Sequence, residues 1–375
     1  MRPSIALCMI VKNEAKNLPK LFDSIEGCFD EIHITDTGST DETVEIAKAY
    51  GAHVHTFEWV HDFAAARNHS FQFPTTDYIM WMDGDDTLSD RQAFIEWRDN
   101  AMVGSDYWLN TYHYALNAEK QPVCSFARER VVKRSCGFKW RYFLHEGIPP
   151  VAEKNERVST NFASTWAVLH QRTLDDLKED KNRNIEIFER HLSETLDPRM
   201  EYYYGKELFE ANRNDEAIKQ LRKALKADKM EFHDRVLCMQ YLCVSLLKDS
   251  KDTKNWVMAQ QIAHEGLMLM PNRAEFFCFI GDAYIKMGKF GEAIPSFEAA
   301  KRCKNTSMLK PGMASPIFAY GDVYGPYPSK QLARIHVHLN QPTDALNEIN
   351  WALTKWPDDP EALALQKEIL KLRDL

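Results

Sequence analysis

The sequence predicts an α/β domain, a mostly parallel sheet wrapped by helices, followed by an all-α domain of helical repeats. Three observations carry this. Four short strand-like runs, the first and last of them apolar throughout, alternate with helix-period segments between residues 4 and 83. A polar cluster follows three of those runs. Beyond residue 170 the same small residues recur about every 34 positions, the spacing of a helix-turn-helix repeat.

The first run, residues 4–11 (SIALCMIV), is apolar without alternation, which predicts a strand buried on both faces. Residues 15–27 place Leu18, Leu21, Phe22 and Ile25 at helical spacing and stop at Gly27. A second strand is expected at 31–35 (EIHIT), then the turn DTGSTD, a helix closed by Gly51, and a third strand at 53–59. Residues 62–73 read as a helix and 78–83 (YIMWMD) as a fourth strand. Strand and helix in strict alternation imply right-handed crossovers and a parallel sheet. Ligands bind such sheets beyond the carboxyl ends of the strands. Lys12-Asn13-Glu14, Asp36 to Asp41 and Asp83 to Asp86 all fall there. From about 105 to 170, shorter β-like pieces (YWLNTYHYAL, RVVKR, STWAVLH) complete the domain.

The rest is helical. YYYGKELFEANRNDEAIKQLRKALKA and FFCFIGDAYIKMGKFGEAIPSFEAAK share small residues at matching offsets, with Gly205 and Gly281 leading. A third copy carries Ala333, Ala345 and Ala352, and a less regular one lies between, with Ala259, Gly266 and Pro271. Small residues let the two helices of each hairpin approach closely. This region resembles tetratricopeptide repeats, with PEALALQKEILKLRDL as a capping helix. The expected domains are 1–175 and 176–375. The aromatic segment 320–328 interrupts the repeat period, and reads as either a contact loop or a packing loop.

Bulk properties exclude several classes. Net charge is −8, from 47 basic and 55 acidic residues, so nothing draws the chain globally to a phosphate backbone. That argues against nucleic acid as partner. Eight cysteines form no CxxC pair, which fits buried thiols in a reducing compartment and suggests no structural zinc site. No apolar stretch approaches the ~18 residues of a membrane span, so a cytoplasmic location is expected, unlike that of membrane-embedded polysaccharide synthases.

Asp83-Gly84-Asp85-Asp86 puts three carboxylates in four residues at the end of a buried strand. Like charges so placed repel unless a cation relieves them, and oxygen ligands suit Mg²⁺ or Mn²⁺. Asp36 ends the second strand, where a carboxylate can accept hydrogen bonds from a base or ribose. Arg67 lies on a helix of small residues leading to the acidic strand, placed to contact a nucleotide or to clamp Asp83.

Together MIVKNEAKNLPKLFDSI, ITDTGSTDETVEIAKAYGA, DFAAARNHS and YIMWMDGDD resemble family 2 glycosyltransferases, which have the Rossmann-like GT-A fold. The resemblance implies inverting, metal-dependent hexosyl transfer from a nucleoside-diphosphate sugar, a UDP-sugar first among them, to a macromolecular or glycan acceptor. Carried onto this sequence, it makes Val11, Asn13, Glu14, Asp36, Arg67, Asp83 and Gly84 donor contacts. Asp83 and Asp85, with His170 ending the last β-like piece, become the ligands of Mn²⁺ or Mg²⁺. Thr37 stands where many members have a second acid. The Glu-Asp pair that often supplies the base is absent; Arg141 to Gly147 occupies that region, with Glu146 expected as base and His145 second. The repeats are expected to hold an acceptor or a second copy in a homodimer. Two other classes compete. A nucleotidyltransferase needs a glycine-rich loop after the first strand, which VKNEAKN lacks. A non-catalytic repeat scaffold with a vestigial domain would have no reason to keep the acidic motif intact.

Overall fold

A computed structural model describes residues 2–116, 122–151, 157–171, 181–191, 197–248, 252–304 and 321–373. The chain forms two compact units, one built on Met1–His191 and the other on Leu192–Leu309 with Pro316–Leu375.

The first unit centres on a mixed eight-stranded sheet. Its strands are β1 (Ile5–Val11), β2 (Glu31–Asp36), β3 (His53–Thr56), β4 (Tyr78–Trp81), β5 (Asp86–Leu88), β6 (Tyr107–Leu116), β7 (Pro122–Lys133) and β8 (Thr160–His170). Their order is β3-β2-β1-β4-β7-β6-β8-β5. β1 pairs in parallel with β2 and β4, and β2 with β3. The first four strands thus take the expected parallel arrangement, with β3 and β4 stopping short of their predicted ends. β7 runs antiparallel to β4 and β6, and β5 antiparallel to β8.

β1 shows why its run has no alternation. Ile5, Leu7, Met9 and Val11 pack into the core with α1 (Leu18–Ile25) and α4 (Arg91–Asn100), whereas Cys8 faces a second core with Ala64, Ile79, Trp81 and Trp140. Both faces are dry, and each fully buried aliphatic side chain contributes about 1.5–3 kcal/mol. In α3 (Phe63–Ser70), Asp62 caps the amino end by accepting the Ala65 N–H at 2.8 Å, and buried Ala64 and Ala66 let the helix lie close on the sheet. α2 (Thr43–Ala49) follows the DTGSTD turn, and α5 (Lys181–Arg190) closes the unit.

The second unit is helical throughout its described residues. Helix pairs α6/α7 (Pro198–Glu210, Asn214–Leu225), α8/α9 (Phe232–Leu247, Thr253–Leu269), α10/α11 (Ala274–Lys286, Phe290–Arg302) and α12/α13 (Tyr327–His338, Pro342–Lys355) precede α14 (Pro360–Arg373). The glycines explain the tight hairpins. A β-carbon on Gly205 would lie 2.6 Å from the Leu221 side chain, and one on Gly281 would lie 2.5 Å from the Phe297 ring. α14 buries Ala362, Leu365 and Ile369 against α12 and α13.

Tyr320 lies outside the described residues. Beyond it, Tyr324 donates to Glu275 at 2.8 Å and Tyr327 donates to Asp282 at 2.9 Å, so both tyrosines bind α10. Seven described cysteines are unbridged, six of them buried. No described helix is long and apolar enough to cross a membrane.

Candidate functional site

The polar residues after β1, β2 and β4 meet at one sheet edge. Val11 and Asp36 stand in register at the ends of β1 and β2. The Val11 carbonyl accepts both the N–H and the hydroxyl of Thr37, at 2.9 and 3.0 Å. The Asp36 carboxylate accepts the backbone N–H groups of Gly38 and Ser39 at 3.1–3.2 Å, which closes the turn. Asn13, at φ 58°, donates its N–H to Ser39 Oγ, and its side-chain oxygen accepts the Thr40 N–H at 2.8 Å. The Glu14 N–H donates to Thr43 Oγ1 at 2.7 Å. The first two clusters are therefore one hydrogen-bonded shelf.

Glu14 ties that shelf to the acidic motif: a β-carbon on Gly84 would lie 2.6 Å from Glu14 Cγ. Close approach of a side chain, rather than backbone conformation, is what requires glycine here.

Arg67 joins two further motifs. Its Nη2 donates to Asp83 Oδ1 at 2.6 Å and its Nε to Glu146 Oε1 at 2.8 Å. The guanidinium lies 4.6 Å from the Trp81 ring centroid and 4.8 Å from that of Trp140. Burial disfavours a charge on Asp83, but Arg67 and Arg130 outweigh it and bring its pKa down to about 2.

The loop bearing Glu146 is held from several sides. A bridge pairs Arg141 with Gly147, and Tyr142 and His145 between them take positive φ of 73° and 51°. Non-glycine residues in that conformation cost energy and cluster at functional sites. Asn68 clamps the loop by donating to the Trp140 carbonyl at 3.0 Å and accepting its N–H at 2.9 Å. Arg128 donates to the Glu146 carbonyl at 2.8 Å. The His145 ring rests against Phe188 of α5.

Asp85, Asp86 and His170 each present a ligand atom within 4.8 Å of the others, and all three are buried. Antiparallel pairing sets Asp86 opposite His170. His170 Nδ1 is 3.4 Å from Asp85 Oδ1 and from Asp86 Oδ1, and 2.9 Å from the Tyr112 hydroxyl. Burial works against a charged imidazole, yet the hydrogen bond to Asp86 and the nearby carboxylates raise its pKa above the usual value. Two carboxylates and one imidazole form a donor set that fits Mn²⁺ well and Mg²⁺ adequately. Asp86 was not among the expected ligands, whereas Asp83, which was, lies outside this group and pairs with Arg67. The signal for Asp86 was present as the third acid of the motif, but its placement depends on the β5–β8 pairing, which the residues Asp86–Leu88 do not announce.

Comparison with known proteins finds a match in each unit. Residues 6–96 match glycosyl transferase family 2 and residues 274–303 match the tetratricopeptide repeat. The first unit therefore carries a family 2 glycosyltransferase domain, and the second carries tetratricopeptide repeats. The SPbeta prophage-derived glycosyltransferase SunS of Bacillus subtilis is 27% identical over 263 residues, 66% of this chain and 59% of that protein. The chain thus spans less than two thirds of that relative. A TPR repeat-containing protein of Synechococcus elongatus is 42% identical over 84 residues, 22% of this chain and 21% of that one. A thermophilic TPR protein of Thermus thermophilus superposes with TM-score 0.38 at 16% identity, covering 52% of this chain and 93% of that one.

Proposed function

We propose that this chain is a metal-dependent inverting glycosyltransferase that moves a hexose from a nucleoside-diphosphate donor, a UDP-sugar first among them, to a macromolecular or glycan acceptor. The observation that carries the reading is the convergence of Asp85, Asp86 and His170 with the Arg67-held Asp83 at the end of a strand in the region that matches glycosyl transferase family 2. Similarity to the glycosyltransferase SunS supports the same class of reaction.

Asp85, Asp86 and His170 would hold Mn²⁺ or Mg²⁺. When bound, the cation supplies charge neutralisation at the diphosphate leaving group. Val11, Asn13, Glu14, Asp36 and Gly84 shape the donor shelf, and Arg67 fixes Asp83 beside it. Glu146 is the base. Arg67 occupies its Oε1, so Oε2 takes the proton from the acceptor nucleophile. The nucleophile bonds to the anomeric carbon as the bond from that carbon to the diphosphate oxygen breaks, and the nucleoside diphosphate leaves. Configuration inverts because base and leaving group lie on opposite faces. His145 shares the loop and stands second for the base. The proposed site residues all fall within residues 1–175, and the repeats, which lie within 176–375, present the acceptor or a second copy of the chain.

A thermal-shift panel of UDP-, GDP-, CMP- and dTDP-sugars with and without Mn²⁺ tests this reading. A ligand at ~100 times its dissociation constant adds ~2.7 kcal/mol to stability. One donor should stabilise the protein in a Mn²⁺-dependent way. A well-folded sample that responds to no donor would instead point to a binding scaffold.

A further inference from the structure

We propose that Arg130 is a built-in counter-cation for the acidic cluster and that it sets how tightly the site holds a divalent ion. The inference rests on the metal reading above.

Arg130 lies on β7 and has no exposed surface. Its guanidinium sits between two rings, 3.9 Å from the Trp81 centroid and 4.3 Å from that of Tyr112. Its hydrogen bonding is sparse. Nη1 donates to Asp86 Oδ2 at 3.2 Å and to the Trp81 carbonyl at 3.3 Å, while Nε and Nη2 meet no acceptor among the described residues. A buried arginine is normally matched by a bidentate carboxylate. Here the match is one of charge. Asp86 is as deeply buried as Arg130, and the two form an ion pair. Arg67 answers Asp83, and His170 lies beside Asp85.

The two oxygens of Asp86 divide the work. Oδ2 accepts from Arg130 and from the Asp83 N–H at 3.0 Å, while Oδ1 faces His170 and the Tyr112 hydroxyl. Arg130 therefore touches Asp86 on the oxygen turned away from His170 and Tyr112. Charges this deep are poorly screened, so the guanidinium offsets the carboxylates when no ion is bound and repels an ion that arrives. Arg130 stabilises the metal-free fold and weakens metal affinity, which keeps the ion exchangeable. A residue that merely filled space between Trp81 and Tyr112 would do neither.

The test is a Mn²⁺ titration of the full chain at constant pH, read by the electron paramagnetic resonance signal of free Mn²⁺. Arg130→Met should bind Mn²⁺ at least tenfold more tightly than the parent, Arg130→Lys should match the parent, and Asp85→Asn should lose binding. Metal-free Arg130→Met should melt below the parent and gain more in melting temperature from Mn²⁺. If the parent binds Mn²⁺ no better than Asp85→Asn, the metal reading fails and this inference with it. Where the parent binds but Arg130→Met binds equally or more weakly, the counter-cation role alone is overturned. An Arg130→Met chain that stays unfolded even at millimolar Mn²⁺ overturns it too, because a cation should then substitute for the lost charge.

Discussion

Asp86 and His170 face each other across the β5–β8 ladder, with Asp86 Oδ1 3.4 Å from His170 Nδ1. Two residues 84 positions apart become near neighbours because one short strand pairs with the end of a long one. As part of the ligand group, His170 should matter more to Mn²⁺ than to Mg²⁺, since imidazole suits the softer ion. His170→Ala is expected to raise the Mn²⁺ concentration for half-maximal stabilisation by ten- to a hundredfold. A thermal-shift titration with each ion reads this, and an unchanged Mn²⁺ midpoint would remove His170 from the ligand group.

Arg67 bridges two acids of the site, Asp83 and Glu146. Arg67→Met removes the side chain that is hydrogen-bonded to both the partly buried Asp83 and the buried Glu146. Breaking a buried pair in this way costs about 3–5 kcal/mol, read as a lower urea midpoint. Arg67→Lys keeps the charge but loses the fork that reaches both acids, so stability should recover in part while transfer stays low. The pH sign follows from Asp83, whose folded pKa is depressed to about 2. Its stabilising contribution is present above the unfolded pKa and is lost as pH falls through the folded one. Acid unfolding of Arg67→Met should therefore begin at higher pH.

Gly84→Ala places a methyl group against Glu14. Overpacking of this kind costs about 1–3 kcal/mol. The neighbour is a side chain, so Glu14→Ala in the same chain should recover most of the loss. A four-member thermodynamic cycle measures the coupling, and purely additive effects would rule out the contact.

The repeat unit has its own titration. Burial raises the pKa of Asp282 to about 6, although Tyr327, Gln331 and Lys286 pull the other way. A raised folded pKa contributes stability that is complete below the unfolded value and lost as pH rises through about 6. From pH 4 to 7 the repeats should lose up to about 3 kcal/mol through this group. Asp282→Asn should flatten that dependence in chemical denaturation, and parallel profiles for the two proteins would refute it.

Much was legible in the chain because the signals were local. Apolar runs buried on both faces marked β1 and β4, a helical stripe marked α1, and glycine and alanine at fixed offsets marked the repeat hairpins. The clustering of Asn13, Asp36 and Asp83 at one edge followed from strand and helix alternation alone, since parallel strands must share their carboxyl ends. Tertiary structure decided how the side chains were shared out. Arg67 was placed near the site by sequence, but only the fold turned it onto Asp83 and Glu146 together. Asp86 and Arg130 were invisible as a pair because they come together through the antiparallel pairing of β7 with β4, the strand that leads into the acidic motif, which no local pattern encodes. Strand identity is written in periodicity along the chain, whereas the choice among three adjacent carboxylates rests on which cation arrives from elsewhere in the fold.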